Sequence, residues 1–176
     1  MKTKKPTVTI GIPAYNEEAN IGVLLRAIVK QRETDFVLKK IIVVSDKSTD
    51  NTANEVKKIK DSRIKLIENR VRRGQVFNQN KIFDLANTDV VVIIEADTYP
   101  AGSDYIGELI KPFREHRKVG LVQGLPRPVK AKTFTEKVLN FQIDIYQVGI
   151  LRDDFYYIDK ILYHHLVLIH FYLRWL

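Results

Sequence analysis

Cysteine is absent from the 176 residues, which excludes disulfides, thiolate catalysis and cysteine-based zinc sites and gives no pointer to an oxidising compartment. No G-x-G-x-x-G follows the first apolar strand, which argues against a dinucleotide oxidoreductase. The basic start, Met1-Lys2-Thr3-Lys4-Lys5-Pro6, leads straight into a strand without a signal-peptide apolar region. No internal repeat or low-complexity linker interrupts the chain. No aromatic-interleaved basic stretch supports nucleic-acid binding, and none is expected. The apolar stretch 161–176 is short and broken by His164, His165, His170 and Arg174, too interrupted for a membrane span.

What is present is an ordinary globular composition, 45% hydrophobic and 28% charged, in a length that suits one domain. Lys and Arg number 29 against 21 Asp and Glu, a net charge of +8. That excess favours anionic partners such as nucleotide phosphates or an acidic membrane surface. A lysine-rich solvated surface is the plainer reading of the same excess.

Apolar runs at 7–13, 41–44, 64–67 and 90–94 read as strands, and 119–123 as a further one. Between them lie helical spacings: Ile21, Leu24, Leu25, Ile28 and Val29 on one face; Ala53, Val56 and Ile59; then 76–86. Ile106, Leu109, Ile110 and Phe113 follow, and 133–149 also reads as helical. Asn16 is expected to cap the first helix with Glu17 and Glu18 in its first turn, and Ser103 the fourth. The alternation predicts an α/β domain over 1–149, a three-layer α/β/α stack on a mainly parallel sheet. Residues 150–176 form an aromatic-rich helical tail in this reading, buried or, as the alternative, interfacial.

The chemistry concentrates after three of the strands. Five β-branched residues, Val90 to Ile94, end in Glu95-Ala96-Asp97, two carboxylates one residue apart. Hard oxygen donors of this kind suit Mg²⁺ or Mn²⁺ carrying a phosphate. Tyr15-Asn16-Glu17-Glu18 follows the first strand, and Ser45-Asp46-Lys47-Ser48-Thr49-Asp50 the second. In a parallel sheet all three clusters meet at one edge. By residue type, Tyr15 offers a flat face for a base, Asp46 an acceptor for a ring N–H or a hydroxyl, Asp97 with Glu95 a cation seat, and Arg72 or Arg73 a counter-charge for phosphate. Taken singly, Ser48-Thr49-Asp50 also reads as a cap for the next helix.

Ile12-Pro-Ala-Tyr-Asn-Glu-Glu18, Val43-Val-Ser-Asp-Lys-Ser-Thr-Asp50 and Ile94-Glu-Ala-Asp-Thr98, in this order, resemble the signatures of family 2 glycosyltransferases of GT-A fold. Val122-Gln-Gly-Leu-Pro-Arg-Pro128 and Leu139-Asn-Phe141 are similar to segments of that family's membrane-associated branches. The resemblance covers about 6–142. It implies the nucleotide-diphospho-sugar transferase fold, incomplete at the C-terminus, and a base and ribose pocket of Pro13, Ala14, Tyr15 and Glu17, with Asp46 contacting the base. It places Gly74 and Asn80 at a helix start near the diphosphate, beside Arg73. Ala96 and Asp97 match the end of an Asp-x-Asp element, Asp97 being the expected metal ligand with Glu95 beside it. Mn²⁺ or Mg²⁺ is the implied cofactor. A nucleotide-diphospho-sugar, UDP-linked, is the implied donor and a glycan or lipid-linked molecule the implied acceptor, in polysaccharide or glycolipid synthesis. The implied location is the cytoplasm, at the cytoplasmic face of the membrane where peripheral contact is made.

Three departures stand out: Ser45 for a first aspartate, Glu95 for the first Asp of Asp-x-Asp, and Gln75 where a lysine is common. The general base is unknown; Asp153 and Asp154, the only adjacent carboxylates after the sheet, are the weak candidates, with solvated surface charge as the alternative. Arg174-Trp175, with Phe171 in place of a glutamine, reads as chance. A glycosyltransferase truncated after its donor-binding half fits these features, and a non-catalytic nucleotide-sugar-binding module is the alternative. Sugar-nucleotide synthesis is disfavoured because Ala14-Tyr15-Asn16-Glu17 replaces the Gly-rich, Arg-containing loop such enzymes carry after the first strand.

Overall fold

The structure is a computed structural model that describes residues 4–116, 119–122, 124, 130–135 and 137–138, together with the backbone of 166–169. Among the described residues six strands form one sheet in the order β3-β2-β1-β4-β6-β5: β1 (Thr7–Ala14), β2 (Val37–Ser45), β3 (Ile64–Glu68), β4 (Val90–Ile93), β5 (Leu121–Val122) and β6 (Leu166–Ile169). Every pairing among them is parallel. The helices are α1 (Ile21–Val29), α2 (Thr52–Lys58), α3 (Gln75–Leu85) and α4 (Tyr105–Glu115).

The strands bury both faces, which is why they read as continuous apolar runs rather than alternating ones. On one face Val8, Ile10 and Ile12 of β1 meet Ile41 and Val43 of β2 and Val90 and Val92 of β4. Over them pack Leu24, Leu25 and Ile28 of α1, Val56 of α2 and Ile106 and Ile110 of α4. On the other face Ile42, Val44, Val91 and Ile93 pack under Ile82 of α3 and Ala86. The placement follows from handedness. The chain steps from β1 outward through β2 to β3, then returns past β1 to β4. A right-handed crossover over that return puts α3 on the face opposite α1 and α2. Gly11 makes close packing possible there: a Cβ on it would stand 2.3 Å from Ile82 Cγ2.

That reversal also makes a crevice. β4 pairs with β1 only as far as Gly11–Ile93, while β1 continues beside β2 to Ala14–Ser45. Beyond Gly11 the two central strands part at their carboxyl ends, the place where open α/β sheets bind ligands. Pro13 falls in this unpaired stretch, where its missing N–H costs no bond to β4.

The α/β reading of the sequence matches this architecture, with three differences. The first helix starts at Ile21, four residues later than an Asn16 cap requires. Asn16 has a positive φ of 55° and spends its Oδ1 on the Thr49 N–H at 2.8 Å; Asn20 is the N-cap, and no acidic residue sits in the first turn. At the fourth helix Asp104, not Ser103, is the N-cap. Here Gln31 from the end of α1 takes over: its Oε1 accepts the Ile106 N–H at 3.1 Å and its Nε2 donates to the Gly102 carbonyl at 2.7 Å. Third, the tail is not helical throughout, since residues 166–169 are a strand between β4 and β5. Four apolar residues cannot be told from a buried helix turn by periodicity, and the unpaired edge of β4 gives them a ladder. The rest of the tail and most of 133–149 lie outside the described residues, as do Asp153, Asp154, Phe171, Arg174 and the three tail histidines. No helix among the described residues is long and apolar enough to cross a membrane.

Candidate functional site

A cleft of about 190 Å³ opens at the crevice and is lined by Pro13, Ala14, Tyr15, Glu17, Asp46, Arg72, Gly74, Gln75, Asn78, Glu95, Ala96 and Asp97. Residues from the ends of β1, β2 and β4 and from the start of α3 therefore share one space, although up to 84 positions separate them in the chain (13 to 97). Eight of the ten residues expected from the sequence to bind a nucleotide-sugar line it, as do both expected metal ligands.

The first two loops are stitched into a single floor. The Asn16 N–H donates to Ser48 Oγ at 3.1 Å, the Glu17 N–H to Thr52 Oγ1 at 2.8 Å and the Glu18 N–H to Asp50 Oδ2 at 3.0 Å. In return the Asn51 N–H donates to Glu18 Oε2 at 2.8 Å. Asp50 also accepts the Thr52 N–H at 3.0 Å, although the N-cap of α2 is Asn51 and not a residue of the expected Ser48-Thr49-Asp50 cap. Ser45 is buried and donates to Ser48 Oγ at 2.9 Å. It belongs to this floor rather than to the cleft.

The basic wall comes from residues 70–74. The Arg72 guanidinium lies over the Tyr15 ring, 3.9 Å from its centroid, a cation–π contact across the cleft. Arg73 turns away and stands 5.1 Å over Phe77; what it gives the site is its backbone N–H, donated to Asp46 Oδ1 at 2.9 Å. The Gly74 N–H donates to Asp46 Oδ2 at 2.7 Å, and Asn69 Nδ2 to Asp46 Oδ1 at 2.9 Å. Burial pushes the Asp46 carboxyl up, and these donors more than reverse it, so it is held below the ordinary aspartate range.

The acidic wall is Glu95, Asp97 and Glu17. Burial, then the neighbouring charges of Asp97 and Glu17, push Glu95 up to about 7 against a hydrogen bond from Gln75. That bond runs from Gln75 Nε2 to Glu95 Oε1 at 2.6 Å, so the residue standing where a lysine is common is turned to a carboxylate.

The donor set fits a hard divalent cation. All its atoms are oxygens, and the crowding that raises Glu95 is what a cation would relieve. Among the described residues no group of three or more His, Cys, Asp or Glu forms a complete metal cage. Two carboxylates are enough when substrate phosphates and water supply the remaining ligands, the usual manner of Mg²⁺.

Two expected residues are not among those lining the cleft. Asn80 is exposed on α3. The asparagine in the cleft is Asn78, 1% exposed, whose Oδ1 accepts Asn69 Nδ2 at 2.7 Å. It was legible in principle: Asn78 lies four residues before Ile82, so it stands on the sheet-facing stripe of α3 where an apolar residue would be expected. Arg73 lends only its backbone, and Arg72 takes the place expected of it. Asn69 and Gln75 are further residues that no spacing in the sequence marks as site-builders.

Comparison with known proteins gives the class. The chain belongs to glycosyl transferase family 2, whose family model matches residues 9–175. A poly-β-1,6-N-acetyl-D-glucosamine synthase of Staphylococcus aureus (strain COL) is 32% identical over 124 residues, 68% of this chain and 28% of that protein. The Escherichia coli UDP-Glc:α-D-GlcNAc-diphosphoundecaprenol β-1,3-glucosyltransferase WfgD is 31% identical over 90 residues, 51% of this chain and 34% of that one. The chain thus spans about a third of the length of these relatives. Among solved structures, a mannosyltransferase of Pyrobaculum calidifontis in complex with GDP-Man and Mn²⁺ superposes with TM-score 0.62 at 27% identity, over 71% of this chain and 37% of that one. Staphylococcus aureus TarS, TM-score 0.60 at 24% identity over 72% and 37%, shares the fold.

Proposed function

We propose that this chain forms the donor-binding part of a metal-dependent glycosyltransferase that moves a sugar from a UDP-linked donor to a glycan or lipid-linked acceptor. The observation that carries this reading is the convergence of Tyr15, Arg72, Glu95 and Asp97 on one cleft at the crevice between β1 and β4. The UDP linkage is supported by the donor in the WfgD relative's name. The acceptor class is supported by that lipid-diphosphate glucosyltransferase and by the polysaccharide synthase. Action on such acceptors suits the cytoplasmic face of a membrane, with peripheral contact.

Each residue has a distinct task. Tyr15 offers the base the ring face that Arg72 does not cover, with Pro13 and Ala14 forming the strand-end shelf and Glu17 beside the ribose. Arg72, next to the cleft and without an ion-pair partner among the described residues, supplies positive charge toward the diphosphate. Gly74 and Ala96 lack bulk, so phosphate oxygens can approach the backbone. Glu95 and Asp97 would hold Mn²⁺ or Mg²⁺, and the Mn²⁺ of the Pyrobaculum structure supports a divalent ion. Bound there, such an ion supplies charge against the leaving diphosphate. An acceptor hydroxyl attacking the anomeric carbon also needs a general base, for which Asp153 and Asp154 remain the candidates.

The test is a thermal shift. UDP with Mn²⁺ is expected to raise the melting temperature, by RT ln(1 + [L]/Kd) in stability, or about 2.7 kcal/mol at a hundredfold excess over Kd. Asp97→Ala is expected to abolish the rise. No shift with any nucleoside diphosphate would defeat the reading. Binding without turnover is a second reading, favoured by Gln75 being engaged with Glu95 instead of offering a cation. Measurable hydrolysis of a UDP-sugar by the chain would count against it.

A further inference from the structure

We propose that Asp46 is a positioning residue: by taking the backbone N–H groups of Arg73 and Gly74 it fixes the loop 70–74 and so sets Arg72 across the cleft over Tyr15. The sequence suggested a different task, contact with the base. The geometry limits that task. A carboxylate offers about four acceptor sites, and three are taken: Asn69 Nδ2 and the Arg73 N–H on Oδ1, and the Gly74 N–H on Oδ2. At most one site, on Oδ2, is left for a ligand.

The loop has little else to hold it. Residues 70–74 are all exposed, Val71 at 51%, so burial does not order them. Among the described residues their backbone N–H groups make two hydrogen bonds, both to Asp46; the other backbone ties are the Gly74 carbonyl, which accepts the Asn78 N–H at 3.2 Å at the start of α3, and the neighbouring Asn69 N–H to the Ser45 carbonyl at 2.9 Å. Asp46 itself is anchored by burial and by its backbone. It is 2% exposed, and its own N–H donates to the Ala14 carbonyl at 2.8 Å. Gly74 adopts a φ of 85°, which a residue with a Cβ rarely takes, and there two successive N–H groups point at one carboxylate. Gly74 is also the N-cap of α3, so the negative charge sits at the helix's positive end. Arg72 immediately precedes the pinned pair, which fixes where its side chain departs from the backbone.

Hydrogen exchange in the ligand-free protein tests this without any assumption about function. In the wild type the Arg73 and Gly74 amides are expected to exchange more slowly than those of Arg70 and Val71. In Asp46→Asn their exchange is expected to rise about tenfold or more, the scale of losing a hydrogen bond to a charged group. Equal exchange at all four amides in the wild type would overturn the proposal, and that measurement needs no variant to fold. A second arm rests on the nucleotide-binding reading above: the Kd of UDP with Mn²⁺ for Asp46→Asn, Arg72→Gln and the double variant. Because Asp46 acts through Arg72, the double variant is expected to bind within about twofold of the weaker single variant. Losses that multiply, as for independent contacts, would overturn it. If the wild type binds no UDP, the functional reading fails and the exchange data alone decide.

Discussion

Replacing Gly11 by Ala probes how the fold holds the cleft open. Gly11 is buried in β1, and a Cβ there would stand 2.3 Å from Ile82 Cγ2 and 3.0 Å from Ile93 Cδ1. Ordinary contact begins at 3.4 Å, more than 1 Å beyond the first of these distances. Ile82 Cγ2 is a branch methyl on a fully buried side chain, so it cannot swing aside as the tip of a long chain would. Either α3 lifts from the sheet or the side chain leaves its rotamer. Such overpacking costs about 1–3 kcal/mol, which for a chain of this size lowers Tm by about 2–12 °C. Because α3 also carries Gln75 and Asn78 into the cleft, nucleotide affinity is expected to fall with it. The assay is thermal unfolding followed by circular dichroism, for Gly11→Ala, Ile82→Ala and the pair. Ile82→Ala alone is expected to cost about 2–5 kcal/mol through its cavity. In the pair the new methyl fills part of that space, so the double variant should be more stable than the sum of the two losses. A Gly11→Ala protein with wild-type Tm, or strict additivity in the pair, would refute the packing argument.

Other perturbations have equally definite signs. In metal-free buffer Glu95 titrates near 7 in the folded state against 4.5 in the free carboxyl. Between those values the folded chain holds a proton that the unfolded chain has released, so stability falls as pH rises from about 4.5 and levels above about 7. The Tm advantage of Glu95→Gln over wild type should therefore grow across that window, and an advantage that shrinks with pH would contradict the cause assigned to the shift. Gln31→Ala strips the buried Ile106 N–H and the Gly102 carbonyl of their partner, and denaturant titration should show a loss of about 1–3 kcal/mol. No measurable loss would mean that water replaces the amide there.

How much of this could be read beforehand follows from the physics of each signal. β1, β2 and β4 announce themselves because strands buried on both faces must be apolar throughout. The meeting of Tyr15, Asp46 and Asp97 followed from parallel topology alone, which brings strand carboxyl ends to one edge. What stayed hidden depended on side chains whose partners are remote in sequence. Asn16 has the composition of a cap but bonds across to Thr49. Gln31, unremarkable just past the end of α1, satisfies the start of α4 from 75 positions away. The choice between Asn78 and Asn80 turned on helical phase, and the phase of α3 is weakly marked because its apolar residues do not keep to one face: Val76 and Phe77 are exposed while Ile82 is buried. Asp46 looked like a ligand contact because nothing in the sequence shows that an exposed loop 27 residues on would occupy its oxygens.

The most direct test of the account is where a paramagnetic nucleotide complex sits. With UDP and substoichiometric Mn²⁺, amide resonances of Ala14, Gly74, Ala96 and Asp97 should broaden first. Those of Lys5 and Asp89, at the amino ends of the strands, should stay sharp. Broadening centred elsewhere on the molecule, or none at nucleotide concentrations that saturate relatives of this family, would contradict the claim that this cleft holds a cation-bound diphosphate.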